Sequence, residues 1–379
     1  MKERIDIIVG EKRLLENPQK IERLNRTSQL LPVDRIPVLI REGLWVPLGA
    51  RGVQFKEYVA SARDNMRQQI LNHKWEEENM PDDTPIAINE IWVTPTFGAL
   101  LGIEFPMDIR WNDNQPPKTI HMLYEPEQID TLMVPAPNTG LCEVKIQWYK
   151  EMLALREEFD VRINGEHVEV RVDISHYGGP IPSAYALAGE NMFIWMLTKP
   201  DRAHRLMEVV TESFCQVVEF FDDLAGRSHD HSLPMGADTA EMLSPKLFLE
   251  FVVPYYLKVW ERYKGSRSFH MCGKIDHLLN ILRDNLQITD LNYFGFPLEV
   301  KNLRDKLTGH VTMSGGPSPM LIYDGPIPVI NKECMTYIKE LGSKGGYTLS
   351  TGGSVMQGTK WEHIEAMINA SKQVGFPEN

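Results

Sequence analysis

Ser266–Asn292 reads SRSFHMCGKIDHLLNILRDNLQITDLN. Its first seven residues form a short apolar run that gives way at Gly273. The next stretch places Ile275, Leu278, Leu279 and Leu282 at three-to-four spacing, the stripe of a helix that covers an apolar surface. Gln287–Asn292 is a second short run. A helix between two strands carries the chain back to its starting end, so the two strands lie parallel.

The same alternation extends in both directions. Candidate strands are Arg35–Arg41, Thr84–Glu90, His167–Asp173, Ser232–Ala237, Ser266–Cys272, Gln287–Asn292, His310–Ser314 and Tyr347–Ser350. Eight such runs predict an α/β fold, a (β/α)8 TIM barrel. Ser244 caps a helix with Pro245 at its first position, and Pro254 should kink that helix or end its first part. Pro200-Asp201 opens another, with Leu206, Val209, Val210, Phe214, Val217 and Val218 on one face. Trp111–Gly140, rich in Pro, Asn and Asp, reads as a long excursion, and Met1–Gln29 as a helical preamble. The expected organisation is one barrel domain over residues 1–379, with residues 1–30 as an N-terminal helical extension.

Hydrophobic residues make up 42% and charged residues 24% of 379 positions, enough apolar material for a large core. Forty basic against 52 acidic side chains give a net charge of −12, which disfavours nucleic acid and anionic membranes as partners. The charged amino terminus lacks a signal-peptide core, no run of 18 apolar residues occurs, and four scattered cysteines suit a reducing compartment, so a cytoplasmic location is expected. There is no phosphate-binding P-loop, no dinucleotide fingerprint after a strand and no HExxH.

In such a fold the chemistry gathers where strands end. The expected ends carry Arg41-Glu42, Glu90 with Trp92 nearby, Asp173 followed by His176-Tyr177, Asp238 and Glu241, His270 and Cys272, Asn292, and two glycine-rich loops at Gly315-Gly316 and Gly352-Gly353. His270 and Cys272, two apart in a strand, point to one side, so imidazole and thiolate can reach one metal ion, a zinc-type pair. A buried histidine bonded to backbone beside a small core cysteine is the alternative. His229-Asp230-His231 reads as a surface connector.

Several segments together resemble the uroporphyrinogen decarboxylase superfamily: RIPVLIREG (35–43), GGPIPSAYALAGE (178–190), LSPKLFLEFVVPYY (243–256), FHMCGKIDHLL (269–279) and GGYTLSTGGSV (345–355). The resemblance implies the barrel and two activities: decarboxylation of porphyrinogens, and methyl transfer between a corrinoid protein and a thiol, a folate or a methylated substrate, often with zinc. Arg41-Glu42-Gly43, Glu90 and Gly352-Gly353 stand where the decarboxylases carry other residues. His270-Met-Cys272-Gly is similar to the zinc pair of the methyltransferases, but the loop cysteine expected as third ligand is replaced at Gly353. A carboxylate would then complete the site, with Glu90, Asp238 and Glu42 as candidates.

The expected function is the methyltransferase component of a corrinoid-dependent demethylation system, acting on a methylated small molecule such as an aryl methyl ether. Zinc would sit on His270, Cys272 and Glu90, with Asp238 as a further acid or ligand and Asp173 as a catalytic group. Arg41, Glu42, Trp92, His176, Tyr177 and Asn292 would contact substrate. The corrinoid would arrive on a separate protein, and a homodimer is compatible. A methylcobamide-to-thiol or folate methyltransferase and a decarboxylase-type lyase are the alternatives.

Overall fold

The computed structural model describes residues 2–40, 43–98, 100–112, 117–356 and 358–374. Two main sheets carry the fold. The first has the order β1-β5-β6-β2, from Glu3–Ile7 (β1), Glu90–Val93 (β2), Phe159–Ile163 (β5) and Glu166–Val172 (β6). Ile109–Arg110 (β3) and Lys118–Thr119 (β4) form a separate small hairpin. The second sheet is wholly parallel, β11-β10-β9-β8-β7, from Met235–Gly236 (β7), Ser268–His270 (β8), Asp290–Phe294 (β9), Thr312–Gly315 (β10) and Tyr347–Leu349 (β11). Val38 adds one parallel bridge to Leu349 at its edge.

Side-chain alternation on the second sheet decides where the site lies. Phe269, Leu291, Met313 and Leu349 are buried in the main apolar cluster with Phe248, Tyr256, Leu303 and Tyr337 from the surrounding helices. Each large side chain so buried contributes about 1.5–3 kcal/mol. The alternate positions are Ser268, His270, Asp290, Asn292, Thr312 and Ser314, so the opposite face is polar. Asp290 organises it, accepting from Ser268 Oγ at 2.7 Å, Thr312 Oγ1 at 2.9 Å and Asn292 Nδ2 at 3.3 Å.

The backbone ladder does not close into the expected cylinder. Two seams join the sheets by other means. At one, buried carboxylates stand in for strand carbonyls: Val38 N–H donates to Asp83 Oδ2 and Ile40 N–H to Asp82 Oδ2, both at 2.8 Å. Asp83 is fixed by Arg23 Nη1 at 2.8 Å and Arg35 Nη1 at 2.7 Å. At the other, beyond the end of β6, Gly236 N–H donates to Gly178 O at 2.8 Å.

Three further expectations are corrected. The N-terminal segment is not only helical: β1 precedes the helix Glu11–Ser28 and pairs in register with β5, from Glu3↔Phe159 to Ile7↔Ile163. Thr84–Asn89 is not a strand. Its groups bond helix side chains instead: Ile86 N–H to Asn17 Oδ1, Ala87 N–H to Glu77 Oε1, and Thr84 O from Lys20 Nζ. The second strand therefore starts at Glu90 rather than ending there. The excursion Trp111–Gly140 contains β4 and a turn of 3-10 helix at Pro126–Thr131. Its last residue, Gly140, adopts φ +61° where a Cβ would strike the carbonyls of Ile103 and Phe105.

Candidate metal centre and active site

The segments following the parallel strands pack side by side. A Cβ on Gly295, just past β9, would land on the Cys272 carbonyl; one on Gly273 would meet the Glu241 carboxylate; one on Gly352 would lie 2.9 Å from Gly316 O. Tyr177 Oη lies 3.5 Å from the Cβ position of Gly236, whose neighbour across the sheet is His270. These contacts set residues 177–179, 238–241, 272–274, 292–296, 314–319 and 350–356 around one crevice.

At its floor, Asp238, His270 and Cys272 bring one ligand atom each within 4.8 Å of one another. Ion-ligand distances of about 2.0–2.3 Å fit such a triangle after modest contraction. His270 is buried, with one ring nitrogen, Nδ1, 2.9 Å from Asn292 O and the other, Nε2, 3.3 Å from Asp238 Oδ1. The carbonyl contact fixes the ring and turns Nε2 toward the cluster. Cys272 N–H donates to Asp238 Oδ1 at 3.0 Å. The Asp238 side chain is 46% exposed, so it remains reachable from the crevice. Glu241 accepts Lys274 N–H at 2.5 Å and ties the loop after β7 to the loop after β8.

A thiolate, an imidazole and a carboxylate with space for a fourth partner make a donor set suited to zinc. The other three cysteines differ from Cys272, which is only part-buried. Burial pushes Cys215 and Cys334 up to about 12, and Cys142 higher still.

Residues 93–374 match a protein-family model described as uroporphyrinogen decarboxylase. The chain belongs to that family. A uroporphyrinogen decarboxylase of Anaeromyxobacter sp. (strain Fw109-5) is 23% identical over 305 residues, covering 76% of this chain and 80% of the relative. A methylated-thiol–coenzyme M methyltransferase of Methanosarcina mazei is 22% identical over 202 residues, and this chain spans 52% of its length. A solved methyltransferase from Methanosarcina mazei superposes with a TM-score of 0.63 at 18% identity, over 93% of this chain and 97% of the other, and shares the fold.

Within this family member the structure separates the sequence candidates into groups. Asp238, His270 and Cys272 lie together, with Tyr177 beside them. Asn292 takes part through its carbonyl, while its side chain turns down to Ser268 Oγ at 2.8 Å. Glu90 is not in the cluster: it opens β2, pairs with Arg171 at 2.5 Å and accepts Trp92 Nε1–H at 3.0 Å. Trp92 is exposed there, with the Arg171 guanidinium 5.7 Å from its ring. Asp173 is bound to Arg227 and lies five residues before Gly178, the residue level with Gly236. If extended, that segment spans about 16 Å. For Glu90 and Trp92 the cause is the strand itself: β2 begins at Glu90, so both lie on it rather than past its end, whereas Asp173 does follow the last residue of β6, Val172, and is held there by Arg227.

His176 does not face the crevice. Its side chain is 1% exposed, between the rings of Phe214 and Phe221, with Nε2 3.4 Å from the buried Glu104. Burial alone would raise the Glu104 carboxyl, but His176 and a hydrogen bond from Ser183 Oγ at 2.7 Å outweigh it and hold it below its ordinary range. His231 bonds the buried Asp222 at 3.0 Å instead of joining a metal cluster. Arg41 and Glu42 lie outside the described residues. Asp290 and Lys145 were not anticipated. Asp290 had a signal, polar residues at every second position of three consecutive strands; Lys145, one charge on an amphipathic helix, had none.

Proposed function

We propose that this family member is a corrinoid-dependent methyltransferase that takes a methyl group from a methylated small molecule, such as an aryl methyl ether, and delivers it to a corrinoid on a separate protein. The observation that carries the reading is the Asp238–His270–Cys272 triangle at the end of the parallel sheet. These three residues would hold zinc, which when bound would supply a Lewis acid for the charge that develops on the leaving oxygen. His270 is oriented by the Asn292 carbonyl, Asp238 is steadied by the Cys272 amide, and Tyr177 lies within reach of substrate above them. The relative and the solved neighbour that bear methyltransferase names support the reading.

Two features of the crevice add support. Tyr177, Met242, Phe296, Met320 and Met356, in or next to the segments around it, are exposed, and apolar side chains of this kind suit covering by another protein. The segments around it carry Lys274 and no arginine among the described residues, whereas a porphyrinogen with many carboxylates calls for several. Zinc held by the same donor set would also bind a thiolate, so transfer from a methylated corrinoid to a thiol is the second reading.

The test is methyl transfer to free cob(I)alamin from a panel of aryl methyl ethers, methylamines and methylated thiols, followed by the absorbance change of the cobalt centre. Transfer from at least one donor, lost in Cys272→Ala, is expected. Inactivity with every donor, together with carbon dioxide release from a porphyrinogen, would replace the reading by a lyase.

A further inference from the structure

Beside the crevice lies a small cavity of about 120 Å³ between β2, the segment after β6 and the helix Leu141–Leu155. Its lining includes Thr94, Phe97, Ile103, Lys145, Ser175 and Tyr177. Tyr177 borders both spaces, since its hydroxyl also approaches Gly236 next to His270.

Lys145 is the unusual member. Only 9% of the residue is exposed, yet its ammonium has one acceptor, the Ser175 carbonyl at 2.6 Å. No carboxylate of the described residues lies within 4 Å of it. An ammonium carries three donors, and beside the Ser175 carbonyl only the face of the Phe221 ring, 5.9 Å from Nζ, attends it, so two N–H groups have no oxygen acceptor in a buried setting, an arrangement costly to maintain. Nearby acids are committed elsewhere: Asp173 to Arg227, and Glu104 to His176 and Ser183. Thr94 Oγ1, in the same lining, is a buried polar atom without a hydrogen-bond partner.

We propose that this cavity receives the carboxylate of the substrate, so that the methyl donor is a small aromatic or short-chain carboxylic acid bound through Lys145 and Thr94. This inference rests on the methyl-transfer reading and adds the substrate class to it. A monoanion with two acceptor oxygens matches one ammonium and one hydroxyl, whereas a phosphate dianion would leave a net charge buried. The space is slightly below the 150 Å³ of a cavity that accommodates benzene, and Phe97 and Ile103 form an apolar wall. A carboxylate with a few attached carbons therefore fits, with the rest of the molecule passing Tyr177 toward Asp238, His270 and Cys272. Burial, which pulls Lys145 down to about 8, leaves the ammonium in place at neutral pH but ready to gain from a bound anion.

The experiment is calorimetric titration of the full chain at pH 7 with benzoate, benzamide and 4-methoxybenzoate, for wild type, Lys145→Met and Thr94→Val. Both acids should bind wild type about tenfold or more tightly than the amide, the scale of a charge-assisted hydrogen bond. Lys145→Met should reduce benzoate to the level of benzamide, and Thr94→Val should weaken benzoate without changing benzamide. Equal binding of benzoate and benzamide, no benzoate binding up to its solubility limit, or full preference in both variants would overturn the proposal. If Lys145→Met does not fold, Thr94→Val and the acid-to-amide comparison decide alone. Binding does not require turnover, so the two claims fail separately. Acid binding through Lys145 without transfer from any methyl donor refutes methyl transfer. Transfer from anisole as fast as from 4-methoxybenzoate refutes the carboxylate site.

Discussion

Replacing Asp83 by Asn should weaken the seam at which the segment of Val38 and Ile40 joins the rest of the fold. The carboxylate is 2% exposed and receives Arg23 Nη1, Arg35 through both terminal nitrogens, and Val38 N–H, all at 2.7–2.8 Å. An amide keeps one acceptor oxygen and turns an NH2 group toward a guanidinium, leaving two cations around a neutral group. Breaking a buried pair from one side costs about 3–5 kcal/mol. Unfolding entropy of about 2.1 cal/mol/K per residue, over 379 residues, gives roughly 0.8 kcal/mol per degree, so the melting temperature should fall by about 4–6 °C. Asp34→Asn is the control, because Asp34 pairs with the same Arg23 but is half exposed and should cost under about 1 kcal/mol. Differential scanning calorimetry of the three proteins reads both. Equal shifts for the two variants would refute the claim that the buried carboxylate replaces a strand at this seam.

Other outcomes follow from the site. Gly295→Ala should lower metal content without touching a ligand, because its Cβ displaces the Cys272 carbonyl; full metal content in a folded Gly295→Ala protein would contradict that. The Glu104–His176 pair should make stability acid-sensitive. Because the folded carboxyl is held down, its contribution is complete above the ordinary value of 4.5 and fades as pH falls below it. The urea midpoint difference between wild type and Glu104→Gln should accordingly narrow in acid, and a gap that is constant with pH would show that the pair contributes by shape alone. Benzoate affinity should fall as pH rises above about 8, as the Lys145 ammonium, flanked by Cys142, Asp173 and the Ser175 carbonyl, loses its proton. A pH-independent affinity measured by calorimetry would exclude Lys145 as the anion's partner.

Much of the parallel sheet is legible in the sequence because Phe269, Leu291 and Met313 alternate with polar residues, and because the helix before them has a clear cap in Ser244-Pro245. The His270–Cys272 pair is legible from its spacing, although the strand ends at His270 and Cys272 lies two positions past it. The first half was harder. Thr84–Asn89 looks like a strand by composition, but Asn17, Lys20 and Glu77, far away in sequence, take its hydrogen bonds. Nothing local distinguishes a backbone partner from a side-chain partner. Read as a strand, Thr84–Glu90 puts Glu90 at a strand end, whereas Glu90 starts β2 and belongs to another group of residues. β1 and β5 escaped notice because Glu3–Ile7 and Phe159–Ile163 carry charges at alternate positions, which suits their half-exposed face but breaks the apolar run used to find the other strands. Adjacency to Tyr177 suggests the crevice for His176, yet neighbours on an extended chain point to opposite sides.

Zinc content most directly tests whether Asp238, His270 and Cys272 form one metal centre. Protein purified without chelators should carry stoichiometric zinc in wild type and in Glu90→Gln, and much less in Asp238→Ala, His270→Ala and Cys272→Ala, with all five folded by circular dichroism. Zinc lost in Glu90→Gln, or equally low in wild type and the three cluster variants after incubation with excess zinc, would contradict it.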